Sequence, residues 1–96
     1  MMWHLCERVV EFLEKLIQQE DPAKIDNLLG HIIGLAIAHN SMILMQPEKM
    51  PKCDKCEAVH LFIHRLPSNN TPASYEEIKI EATKLLEQIK AQPATH

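Results

Sequence analysis

Aromatic side chains are nearly missing from this chain: one Trp, one Tyr and two Phe stand among 96 residues. A core must therefore be built from aliphatic side chains and Met, and five Met suit an adaptable packing surface. Glycine is scarcer still, with only Gly30 and Gly34. That excludes a Gly-rich phosphate loop, and neither a nucleophile elbow nor a His-Glu-x-x-His motif occurs. Charge of one sign is nowhere concentrated. Ten basic residues against 13 acidic ones give a net charge of −3, with no basic patch, so nucleic acid is not an expected partner. A basic segment followed by an apolar run, the mark of a secretory signal, is not seen at the start. The three cysteines are an odd set, Cys6 alone and Cys53 with Cys56, which fits a reducing compartment and a cytoplasmic location.

What is present points to helices. The chain is 46% apolar and 24% charged, enough for one folded domain spanning residues 1–96 and against disorder. Trp3, Cys6, Val10, Leu13 and Ile17 recur at spacings of three and four, which predicts a helix over about 2–19 with Trp3 anchoring it. Asp21-Pro22 reads as an N-cap followed by proline at the first helical position, opening a second helix over about 22–45. No charged residue occurs between Asp26 and Glu48, and apolar side chains lie on nearly every side of that helix. A helix apolar all round belongs at the centre of a bundle or across a membrane. His31, His39, Asn40 and Ser41 interrupt it, which favours the central position over a membrane span. Gly30, Gly34 and Ala38 form a small-residue ridge that admits close approach of another helix. Prolines 47, 51 and 67 bound a third helix over about 51–66. Ser74-Tyr75-Glu76-Glu77 has the form of a capping box and predicts a fourth over about 74–91. The fold class is all-α, a compact bundle of about four helices with the second helix central and apolar.

One constellation carries chemistry. Cys53, Cys56, His60 and His64 fall on one side of the third helix, with Ala58, Val59, Phe62 and Leu66 opposite as the natural core face. Thiolate and imidazole are zinc ligands, so these four are the candidate metal residues. A regular helix cannot bring all four to one ion. Cys53 and His64 are eleven residues apart, or roughly 16 Å along a helix axis. The workable set is Cys53, Cys56 and His60 with a fourth ligand imported from His4, Cys6, His31, His39 or another subunit. His60 and His64, at i and i+4, would form a separate two-ligand clip.

The same residues support a redox reading, because a helix N-terminus stabilises thiolate. Cys53-x-x-Cys56-x-x-x-His60 resembles the helical motif of the alkylhydroperoxidase and carboxymuconolactone decarboxylase-like proteins. That resemblance implies an all-α oligomer in which Cys53 and Cys56 exchange electrons and His60 shuttles a proton. The family's proton-relay glutamate would fall near Asn40-Ser41-Met42 in this chain. Three function classes follow. The leading expectation is a small non-enzymatic interaction protein that acts through an apolar helical surface, as a homo-oligomer or with another protein. A zinc-binding helical module and a Cys-x-x-Cys oxidoreductase are the alternatives.

Overall fold

The computed structural model describes residues 4–49, 53–67 and 71–91. Among them are four α-helices and no strand: α1 (Leu5–Gln18), α2 (Pro22–Met45), α3 (Asp54–His64) and α4 (Pro72–Lys90), with a short 3-10 turn at Pro47–Lys49. This is the all-α bundle that the periodicity requires.

Helix starts follow cap chemistry. Asp21 accepts a hydrogen bond from the Ala23 backbone N–H at 3.0 Å, with Pro22 at the first helical position. The fourth helix repeats the device. Thr71 Oγ1 accepts from the Ser74 N–H at 3.1 Å and Pro72 follows it, so α4 opens before the expected Ser74 cap. A cap residue followed by proline outranks the capping-box pattern here, and Ser74 is buried inside the first turn. The third helix is shorter than the proline bounds suggest, ending where Arg65 leaves helical geometry. Trp3 lies outside the described residues.

The core is aliphatic: Leu5, Val9, Leu13 and Leu16 of α1 meet Ile25 and Ile32 of α2, Val59 of α3 and Ala82 of α4, all 1% exposed or less. Central position falls to α1, which packs along both α2 and α4 and also touches α3. The correction has a simple cause. Only 22% of the apolar window of α2 is buried, because one stripe of it faces α1 and the opposite side faces outward. The ridge of Gly30, Gly34 and Ala38 is on that outer side, with nothing within 4 Å of a Cβ built on either glycine. Ile37, Leu44 and Met45 are exposed there as well, at 63%, 75% and 79%. By length and composition alone α2 could cross a membrane.

Polar ties link the helices at their ends. Lys55 of α3 donates from Nζ to the carbonyls of Ile89 and Ala91 at 2.8 and 3.0 Å, satisfying acceptors at the end of α4. Glu14 of α1 accepts from Lys90 at 2.9 Å, which places it against α4. Tyr75 donates to the Asp26 carboxylate, joining the starts of α4 and α2.

Candidate metal centre

Two helix N-termini converge at one end of the bundle. His4 is the N-cap of α1 and Cys53 the N-cap of α3, both extended and neither closing its helix with a side-chain cap bond. Their side chains turn instead toward each other's helices. Cys6 and Cys56 lie within the first turns, at 5% and 3% exposure. His4 Nδ1 or Nε2 and the sulfurs of Cys6, Cys53 and Cys56 all lie within 4.8 Å of one another.

Two of those separations lie close to the edges of a zinc tetrahedron. Two sulfurs bound to zinc at about 2.3 Å are separated by about 3.8 Å, and a sulfur and an imidazole nitrogen by about 3.6 Å. Cys6 Sγ and Cys53 Sγ are 3.8 Å apart, and Cys56 Sγ is 3.9 Å from His4 Nδ1. Three thiols and one imidazole around one ion would make a closed structural donor set, with no coordination position left for a substrate. The donors come from both halves of the chain, so an ion held by them would cross-link α1 to α3.

The local electrostatics are uneven. Burial, with Cys56 and Cys53 close by, pushes the Cys6 thiol up to about 12. Burial also raises Cys56. Half-buried Cys53 goes the other way: burial raises it, but the Cys56 backbone amide and hydrogen bonds from Cys56, His4 and Cys6 outweigh that and bring it down to about 7. Without metal the cluster therefore holds one easily ionised thiol and two that resist ionisation. A dication would offset two of three thiolate charges, and both helix N-termini add partial positive charge against the third.

Of the four residues expected on the third helix, Cys53 and Cys56 belong to this group, and His4 and Cys6 are two of the candidates for a single imported ligand. The structure brings Cys53 and Cys56 together with both of them. His60 and His64 are not in this group. The helical projection placed Cys56 opposite the core face, yet it is 3% exposed, with Cys6 of α1 close against it. His60 faces α2, where its Nε2 lies 3.2 Å from Nδ1 of His39, and His64 is exposed one turn on. His31 stacks on Phe12 with ring centroids 5.2 Å apart. A groove of about 360 Å³ between α3 and α4 includes Phe62, Ile78 and Leu85, and none of the four donors lines it.

No family model, curated protein or solved structure matches the chain. The functional reading rests on the donor geometry alone.

Proposed function

We propose that this chain is a zinc-stapled helical module with a binding rather than a catalytic role. The observation that carries this reading is the convergence of His4, Cys6, Cys53 and Cys56 within 4.8 Å. Zinc suits the set because three soft thiolates and one imidazole fill a tetrahedron around an ion with no geometric preference of its own. The ion would fix the start of α3 against the start of α1.

Native mass spectrometry of protein prepared without chelator tests the reading. One zinc per chain is expected, lost in both Cys6→Ser and Cys56→Ser. Metal-free protein that takes up no added zinc would defeat the proposal. A reversible Cys53–Cys56 disulfide in that metal-free protein would favour the oxidoreductase alternative.

The outer face of α2 supports a second element of the proposal, self-association. Ile37, Leu44 and Met45 border a backbone stripe left open by Gly30 and Gly34, and no charge interrupts it. A second copy presenting the same uncharged face could approach closely along that stripe. Sedimentation of wild type against Ile37→Glu tests this, with a dimer-to-monomer shift expected and a monomeric wild type refuting it.

A further inference from the structure

We infer that His39, His60 and His64 form a second metal site, distinct from the cysteine cluster, which takes a divalent transition metal such as Zn²⁺ and leaves one coordination position open. His39 Nδ1 of α2 and His60 Nε2 of α3 face each other at 3.2 Å, with ring centroids 5.4 Å apart and planes tilted by 36°. In the metal-free chain that contact holds only if one nitrogen carries a proton and the other accepts it. Two imidazole nitrogens bound to one tetrahedral zinc at 2.0–2.1 Å lie about 3.3 Å apart. The observed spacing therefore fits two ligands of one ion as well as it fits a hydrogen bond, and an ion would replace the shared proton.

The third ligand comes from helix geometry. His64 follows His60 by four residues, on the same face and one turn along. It is exposed, so its side chain can turn toward the pair without disturbing the core. The partners differ in exposure in a useful way. His39 is 5% exposed, His60 is half-buried, and His64 lies at the surface. A buried inner ligand and an exposed outer one make a site that an ion can enter from solvent. Burial lowers the proton affinity of both inner rings, with His60 and then His4 opposing His39 and His64 opposing His60, which favours the neutral ligand form. Glu57, one turn before His60, acts on it in the opposite sense and is placed to counter the charge of an ion.

Three imidazoles differ from three thiolates and an imidazole in what they select. The first set suits Zn²⁺, Cu²⁺ or Ni²⁺ and leaves a fourth position for water or an external ligand. The second is closed and soft. Their different ligand types make them separable in one experiment, although His4 of the cysteine cluster acts on His39. Protein is titrated with Co²⁺ and its stoichiometry counted by native mass spectrometry, while absorbance reports ligand type, because thiolate gives intense ultraviolet charge-transfer bands and imidazole does not. Two equivalents are expected. One carries thiolate bands and disappears in Cys53→Ser. The other lacks them, survives Cys53→Ser, and weakens roughly a hundredfold or more in His60→Ala and in His64→Ala, removal of a ligand costing at least what loss of its support does. The His64 variant changes only a surface residue and guards against misfolding as the cause. Absence of the equivalent without thiolate bands from wild type, or its persistence unchanged in both histidine variants, overturns the inference. Absence of the thiolate-bound equivalent from wild type, with the other present, would overturn the zinc-staple reading and leave this one intact.

Discussion

Zinc removal should destabilise the domain without unfolding it outright at room temperature. The magnitude follows from chain connectivity. Cys6 and Cys53 are 47 residues apart in sequence, and cross-linking a loop of that length restricts the unfolded chain by about 4 kcal/mol in the loop-entropy treatment. A domain of this size has on the order of 5–14 kcal/mol in total. Cys6 and Cys56 are buried members of the core and can stay there as protonated thiols, so the apo chain should retain a folded ground state. For a domain under about 100 residues each kcal/mol shifts Tm by roughly 4–8 °C. Chelation should therefore lower Tm on the order of 20 °C, fully restored by added zinc. The assay is thermal circular dichroism at neutral pH with metal content measured in parallel. Cys53→Ser should sit near the chelated value with or without zinc. A zinc-loaded sample whose Tm does not move when metal leaves would refute the cross-link argument, whatever its stoichiometry.

Other perturbations have definite signs. In chelated protein, half-buried Cys53 should be alkylated first near neutral pH and buried Cys6 last, as site-resolved mass spectrometry would show; Cys6 reacting first would contradict the geometry. Lys55→Met removes the donor to the Ile89 and Ala91 carbonyls and should cost about 1 kcal/mol, with faster hydrogen exchange confined to the end of α4. Gly34→Ala places a methyl in open space on a helical backbone and should stabilise the monomer by roughly 0.5–1 kcal/mol in urea denaturation. The same substitution should weaken self-association if a second copy packs on that stripe, so the two readouts move in opposite directions.

Much of the fold is legible in the sequence because its punctuation is chemical. Asp21-Pro22 marks the start of α2, and prolines frame α3 and α4. Thr71-Pro72 carries the same signature as Asp21-Pro22, but the Ser74 capping-box pattern masks it. The placement of α2 could not be read, since an uncharged helix looks alike whether its partner lies within the same chain or outside it. At the site, the Cys53/Cys56 spacing and the need for an imported donor are visible in sequence, and His4 and Cys6 are among the candidates. Choosing between them and His60 requires knowing that α1, not α2, lies against the start of α3. The pairing of His39 with His60 is likewise a tertiary fact, hidden behind a separation of 21 residues.

The convergence of two helix N-termini on one cluster makes the cluster a gauge of assembly. Neither His4 with Cys6 nor Cys53 with Cys56 can enclose an ion alone, so tight binding appears only once α3 has docked on α1. The reverse holds with equal force, since equilibrium coupling is reciprocal. Anything that pries α3 away must also release the ion, and free ion in solution would resist that separation. With zinc bound as proposed, a short helix of 11 residues, joined to its neighbours by proline-bounded connectors, would be held or let go according to the metal content of its surroundings.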